Sequence, residues 1–118
     1  MFFEFHQNNS GGGFDFDAER GISTNVIVEA DDAEHANYRA KRIGLYFDGV
    51  ENGDDCECCG DRWSEAWRTD GDPVPSHYGT PLDEAKYLMK WQAEGRPETF
   101  VHYSDGRIVA HCQRERKA

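Results

Sequence analysis

The stretch from Asn25 to Gly44 reads NVIVEADDAEHANYRAKRIG and predicts a strand followed by a helix. Its first five residues are rich in β-branched side chains, which favour a buried strand. A helix is predicted from Asp32 to Ile43, because Asp31 can cap the first turn with Glu34 as its partner and the final glycine ends it. Small apolar side chains recur at helical spacing, so this helix can lie close against a sheet. They are Ala33, Ala36, Ala40 and Ile43.

Alternating aromatic and polar residues before this stretch predict a β-hairpin. Phe3 and Phe5 belong to its first strand and residues 14–17 to its second, joined by a polar, glycine-rich turn. After the helix, residues 45–47 predict a short strand. Residues 48–75 predict a long loop that is dense in Gly, Asp and Cys, and a loop of that length usually needs a staple or a function.

A second helix is predicted in the C-terminal part of the chain. Thr80 can cap it with Pro81 at the first helical position and Asp83 as the capping partner, and Gly95 and Pro97 end it. Its apolar stripe consists of Leu82, Ala85, Leu88 and Met89.

A last hairpin is predicted from residues 99–103 and 107–112, which flank an Asp-Gly pair typical of two-residue turns. If Ser104 pairs with Arg107, alternate residues divide between two faces. One face then carries Val101, Tyr103, Ile108, Ala110 and Cys112, and the other carries Phe100, His102, Val109 and His111. The whole pattern predicts an α+β fold, with a mainly antiparallel sheet and two helices packed on one side.

The composition predicts one domain over residues 1–118, ending in a basic tail at residues 113–118. The 23 carboxylates exceed the 13 basic side chains and give a formal net charge of -10, which argues against direct binding of nucleic acid or of an anionic membrane. The first residues lack a signal-peptide pattern and no stretch reaches membrane-spanning length, so a cytoplasmic protein is expected. Its cysteines are then expected to be reduced thiols or metal ligands.

The cysteine-rich centre predicts a zinc site. Cys56 and Cys59 have the two-residue gap, followed by Gly60, that a zinc knuckle uses. The other ligands would come from elsewhere in the chain, with these candidates: Cys58, His77, His102, His111 and Cys112. Three alternatives stay open, namely thiols that only pack, a redox dithiol, and a nucleophile formed by Cys58 or Cys59 with His77 or His102 as base.

Polar groups and aromatic rings on either side of this centre predict a ligand pocket, in which rings stack and a guanidinium pairs with phosphate. The predicted lining is Gln7, Asn8, Asn9, Ser10, Tyr46, Phe47, Asp61, Arg62 and Trp63. The alternative is that these rings belong to the core.

Three motifs carry a resemblance to a known family: FHQNNSGG at 5–12, GLYFDGV at 44–50 and DCECCGDRW at 55–63. With them the chain resembles a family of small uncharacterised bacteriophage proteins. The resemblance implies an accessory protein in the cytoplasm of a bacterial host cell.

We therefore expect a non-enzymatic binding protein that sequesters a small nucleotide-like host signal in counter-defence. One alternative is an acidic inhibitor that occupies the nucleic-acid-binding face of a host protein, and another is a zinc-stapled interaction module. Whether the chain self-associates or performs any chemistry stays open at this point.

Overall fold

The computed structural model describes residues 1–8, 14–84 and 97–111. In chain order the elements are β1 (Phe2–His6), β2 (Asn25–Glu29), α1 (Ala33–Ile43), β3 (Ser76–His77), β4 (Thr80–Pro81), β5 (Thr99–His102) and β6 (Ile108–His111). Four strands form one sheet in the order β1-β2-β5-β6, in which only β2 and β5 are parallel. The predicted α+β class with a mainly antiparallel sheet is confirmed, but the described residues contain one helix rather than two.

The strand and helix predicted from Asn25 to Gly44 are confirmed, with one change at the cap. Asp32 is the N-cap residue, since its Oδ1 accepts a hydrogen bond from the backbone N–H of His35 at 2.8 Å. Asp31, predicted as the cap, lies one residue too early and contacts the His35 imidazole at 3.6 Å instead. Gly44 ends the helix with a φ of +130°.

The main core lies between α1 and one face of the sheet, here called the helix face. The helix contributes its predicted small side chains, and the sheet contributes apolar residues of β1 and β2. Loop residues complete this core, which includes Phe3, Phe5, Val26, Val28, Ala33, Ala36, Ala40, Leu45, Phe47 and Trp63. The opposite or second face carries a smaller cluster of Ile27, Val101 and Leu82, with Phe2 and Tyr103 against it.

The predicted N-terminal hairpin is wrong, because β1 pairs with β2 and not with residues 14–17. β2 buries apolar side chains on both faces of the sheet, at Val26, Ile27 and Val28, whereas the 14–17 segment would place two aspartates on one of those faces. That segment is held by a side chain instead: Gln7 Oε1 accepts from Asp15 N at 2.6 Å, and Gln7 Nε2 donates to Asp15 O at 3.0 Å. Residues 45–47 also form no strand, although Leu45 and Phe47 are buried in the core.

The predicted start of the second helix is wrong as well, since Thr80 and Pro81 form β4 and pair with β3. Tyr78 and Gly79 have φ values of +50° and +84°, and two such residues in succession make the tight turn that joins the two strands. Because Thr80 pairs with His77 in an extended conformation, it does not cap a helix. Residues 85–94 of the predicted helix lie outside the described residues.

The C-terminal hairpin is present with its register one residue away from the predicted one. His102 pairs with Ile108, and Tyr103 N donates to Arg107 O at 2.9 Å, which leaves a three-residue loop ending at Gly106 with a φ of +98°. A turn followed by a left-handed glycine is the usual form of such loops. The predicted division of faces is therefore wrong for β6: Val109 and His111 share the second face with Val101, whereas His102 lies on the helix face.

Residues 48–75 contain no strand or helix, as predicted, apart from an isolated pairing of Asp72 with Phe2. Their two mutual backbone hydrogen bonds, 2.8 and 2.9 Å long, fasten the chain to the outer edge of β1 and lead it toward the second face. Within the described ranges, no helix is both long and apolar enough to cross a bilayer.

Candidate functional site

A buried carboxylate organises the cysteine loop, residues 48–63. Asp55 has a side chain that is 1% exposed; it accepts hydrogen bonds from Tyr46 OH at 2.7 Å and from Arg62 N at 2.8 Å. Gly49 O accepts from the N–H groups of residues 54 and 55, and Asp61 Oδ1 accepts from Val50 N at 2.9 Å. Burial, together with the hydrogen bond to Asp55, raises the pKa of Tyr46. The loop therefore has a defined backbone without regular secondary structure.

Asn8 joins the N-terminal segment to this loop. Its Nδ2 donates to Cys59 O at 2.7 Å and to Asp61 O at 3.1 Å, and its backbone N donates to Arg62 O at 2.8 Å. Asn8 of the predicted pocket therefore contacts residues 59–62. Gln7, a second pocket residue, contacts Arg62. The other two predicted residues of that turn, Asn9 and Ser10, lie outside the described residues.

Arg62 lies at the centre of this meeting point, with only 13% of its side chain exposed. Nη1 donates to Gln7 Oε1 at 2.8 Å and Nε donates to Tyr46 OH at 3.2 Å. Carboxylate oxygens of Asp15 and Asp55 lie 3.4 and 3.9 Å from Nε. The guanidinium thus holds chain segments together, and an anionic ligand would have to compete with these carboxylates.

Two of the rings predicted to stack on a ligand belong to the core. Trp63 is 2% exposed and Phe47 is 6% exposed, so neither offers a ring face to solvent. Tyr46 is half-buried beside Arg62. Trp67, which follows the predicted pocket, is 75% exposed.

Three thiols converge on one exposed turn of the loop. The sulfur atoms of Cys56, Cys58 and Cys59 all lie within 4.8 Å of one another, with Cys56–Cys58 at 2.7 Å and Cys58–Cys59 at 3.8 Å. Cys59 N and Gly60 N both donate to Cys56 O, which closes the turn. The predicted pair of Cys56 and Cys59 is therefore present, and Cys58 joins it.

The predicted histidine ligands do not reach this turn. Within the part of the chain that the structure describes, the thiol cluster contains no imidazole. His102 is buried, and its Nε2 donates to Gly21 O at 2.8 Å; His77 donates to Glu4, and His111 lies on the second face of β6. Pairing of Cys58 or Cys59 with His77 or His102 as a base is not seen. Cys112 lies outside the described residues.

Hydrogen bonding gives the thiols of Cys56 and Cys58 different pKa values. The hydrogen bond with Cys58, followed by those from the backbone N–H groups of Cys58 and Cys59, lowers the pKa of Cys56. The hydrogen bonds to Cys56 and Cys59 raise the pKa of Cys58 to about 11. The turn therefore favours a thiolate at Cys56 over one at Cys58.

The second face carries a cluster that the sequence reasoning missed. His77 Nδ1 donates to Glu4 Oε2 at 2.5 Å, and His6 Nε2 lies 3.3 Å from Glu4 Oε1. The Glu4 side chain is 8% exposed. The sequence does indicate that Glu4 and His6 lie together, because residues i and i+2 of a strand share a face. The contribution of His77 depends on the path of a long loop.

The contacts within this cluster shift the pKa values of Glu4 and His6. Burial alone would raise the pKa of Glu4, but hydrogen bonds from His6 and His77 lower it overall. Burial alone would lower the pKa of His6, but the hydrogen bond and charge of Glu4 raise it overall. The arrangement favours a carboxylate beside an imidazolium.

Comparison with known proteins places the chain in a family. Searches of curated proteins and of solved structures found no match. The family model described as "Domain of unknown function (DUF7296)" matches residues 1–117. The chain therefore belongs to the DUF7296 family.

Proposed function

We propose that the protein is a non-enzymatic interaction module whose cysteine loop is stapled by a zinc ion on Cys56, Cys58 and Cys59. The observation that supports this proposal is the convergence of three sulfur atoms within 4.8 Å on one turn. A tetrahedral zinc ion with Zn–S bonds of about 2.3 Å sets its sulfur ligands roughly 3.8 Å apart. The Cys58–Cys59 distance of 3.8 Å fits this geometry. The Cys56 and Cys58 sulfurs would have to separate by about 1 Å to do so.

The rest of the loop supports metal binding by holding the turn in place. The Cys56 carbonyl is bonded within the turn, and the Cys59 and Asp61 carbonyls are bonded by Asn8. Ordering the ligands before the ion arrives reduces the entropy lost on binding. Three thiolates leave the fourth tetrahedral position for water or for a side chain from elsewhere.

The module would present an acidic surface to a partner. Exposed carboxylates surround the thiol turn, and the chain as a whole has a net charge of -10. The exposed acids of the loop are Asp48, Glu51, Asp54 and Glu57. Such a surface complements a basic face, for example the nucleic-acid-binding face of a host protein. The resemblance to bacteriophage proteins favours a host protein as that partner.

Cobalt(II) substitution tests the staple. Titration of reduced, metal-free protein should give one equivalent of binding with thiolate-to-cobalt charge-transfer absorption, and zinc should displace the cobalt. Replacement of Cys56, Cys58 and Cys59 together by Ser should abolish that absorption. Cys112→Ser is the matched control and should keep it. Wild-type protein that develops no charge-transfer absorption would contradict the proposal.

A small nucleotide-like ligand at Gln7, Asn8, Tyr46 and Arg62 is a second candidate. It is supported by the meeting of the N-terminal segment with the Arg62 segment, through the Gln7 and Asn8 contacts. We rank it second because Asp15 and Asp55 flank the guanidinium and the rings of Phe47 and Trp63 are buried.

Calorimetry with AMP and with a cyclic purine dinucleotide tests this second candidate. Binding that is lost in Tyr46→Phe, while circular dichroism stays unchanged, would support it. Absence of binding of either probe at millimolar concentration would end it.

A further inference from the structure

We propose a second metal site, formed by Glu4, His6 and His77 on the second face of the sheet, that binds a first-row divalent transition metal ion such as zinc. It shares no residue with the cysteine loop. Two imidazoles and one carboxylate are a common ligand set for open zinc and iron(II) sites, in which the protein leaves positions for water or for a substrate.

Secondary structure positions all three ligands. Glu4 and His6 are alternate residues of β1, so both side chains point to the second face. His77 belongs to β3, which the pairing of Asp72 with Phe2 carries to the same side of β1. Sites held by strands are more precisely ordered than sites built from loops alone.

The distances suit a small divalent ion. The ligand atoms of the three residues all lie within 4.8 Å of one another. In a tetrahedral site, metal bonds of about 2.0–2.2 Å place neighbouring ligand atoms roughly 3.3–3.6 Å apart. The 3.3 Å between His6 Nε2 and Glu4 Oε1 already fits this range, and the 2.5 Å between His77 Nδ1 and Glu4 Oε2 has to open by about 1 Å. The ion would replace protons that the carboxylate now accepts from the imidazoles.

Two neighbouring groups orient these ligands. His6 Nδ1 donates to Oδ1 of the buried Asn25 at 2.8 Å, which leaves Nε2 of the neutral ring as the atom that faces Glu4. Tyr78 N donates to Glu4 Oε1 at 2.9 Å. Hydrogen bonds from the second nitrogen of a ligating histidine fix its tautomer and ring orientation, as is usual around protein-bound metals.

One side of the cluster is open to a cavity of about 360 Å³, bounded by Glu4 and His6. Asp70 and Asp72 also line it, and none of the described lining residues is a lysine or an arginine. The exposed ring of Tyr78 stacks on His6 at 4.2 Å, with an angle of 10° between the planes, and covers one flank. This surrounding charge favours a cation, and the space admits water or an oxygen donor as a further ligand.

The test uses the full chain with Cys56, Cys58 and Cys59 replaced by Ser, so that the thiol staple cannot contribute. This variant should bind one equivalent of cobalt(II) without thiolate charge-transfer absorption, and paramagnetic NMR shifts should appear at the His6 and His77 rings. In the same background, His77→Asn and Glu4→Gln should each weaken binding by at least about 100-fold. Asn25→Ala should weaken it by about 10-fold through loss of the orienting hydrogen bond.

His35→Asn is the matched control, because His35 also contacts a carboxylate, that of Asp31, but has no second imidazole beside it. It should bind cobalt as the background variant does. If Glu4→Gln fails to fold, as judged by circular dichroism, His77→Asn supplies the same comparison. Uptake below about half an equivalent, or binding that is indifferent to His77→Asn, overturns the second site and leaves the thiol staple untouched.

Discussion

At the scale of single residues, a buried polar side chain is tolerated where each of its oxygens has a hydrogen-bond partner. Asp55 meets this condition through Tyr46 and the backbone of Arg62, and it holds the cysteine loop in one conformation. Gly49 leaves the space that the carboxylate occupies. A Cβ on residue 49 would lie 1.8 Å from Asp55 Oδ2 and 2.9 Å from the Tyr46 ring.

Gly49→Ala should therefore lower the free energy of unfolding by about 1–3 kcal/mol, the usual effect of overpacking a filled site. Urea denaturation followed by circular dichroism measures it. Gly53→Asn is the control: a Cβ at residue 53 would meet nothing within 4 Å, and Asn tolerates the positive φ found there. Equal effects of the two substitutions would show that Asp55 does not constrain residue 49.

The Glu4–His6 pair predicts a pH window for the stability of the metal-free protein. The pKa of His6 is raised above its ordinary value of 6.5, so its stabilisation is complete below that pH and is lost as pH rises through the folded-state pKa. The pKa of Glu4 is lowered from 4.5, so its stabilisation is complete above that pH and is lost as pH falls through the folded-state pKa.

The difference in unfolding free energy between wild type and Glu4→Gln should therefore be largest between pH 4.5 and 6.5. Urea titrations across pH 3 to 9 with a chelator present, at roughly one-unit steps, measure it. A difference that stays constant with pH would show that the two groups do not interact.

At the scale of elements, the start of α1 distinguishes two adjacent aspartates. Asp32 accepts from His35 N, whereas Asp31 has 94% of its side chain exposed. Asp32→Ala should lower the free energy of unfolding by about 1 kcal/mol, the typical value of an N-cap. Asp31→Ala should change it by less than about 0.5 kcal/mol, as expected of an exposed side chain. Thermal or urea unfolding of both variants measures these changes. A larger loss of unfolding free energy in Asp31→Ala than in Asp32→Ala would place the cap at Asp31.

At the scale of the whole molecule, acidic self-repulsion opposes folding. With a net charge of -10, the metal-free protein should become more stable as NaCl rises from about 10 to 200 mM, because the screening length shortens. Calorimetry should show a rising Tm, and KCl should act like NaCl at equal ionic strength. A falling Tm would indicate that attractive ion pairs, such as Arg62 with Asp15, outweigh the repulsion.

Metal should add to the stability of the whole chain by mass action. At a free zinc concentration 100 times the dissociation constant, one site that exists only in the folded state stabilises it by about 2.7 kcal/mol. Removal of zinc with a chelator should therefore lower the Tm of wild type, and the Cys56, Cys58 and Cys59 triple Ser variant should show a smaller loss. An unchanged wild-type Tm would argue against a zinc ion that binds only the folded chain.

The features that could be predicted from the sequence are local ones. The strand Asn25–Glu29, the helix that follows it, the hairpin near the C-terminus and the irregular character of residues 48–75 all depend on side-chain periodicity, capping and turn residues within a short window. The thiol turn was predictable for the same reason, since its cysteines are neighbours in the chain.

Strand pairing and contacts between distant side chains could not be predicted, because they depend on how the whole chain packs. Residues 14–17 alternate as a strand would, yet β2 lies beside β1 instead, because β2 is apolar on both faces of the sheet. By sequence alone, Trp63 fits either a stacking ring or, with better odds, the core, and the fold encloses it in the core. Glu4 and His6 meet His77 only because a long loop is fastened to the edge of β1, and contacts of that separation depend on the free energy of the whole chain rather than on any local pattern.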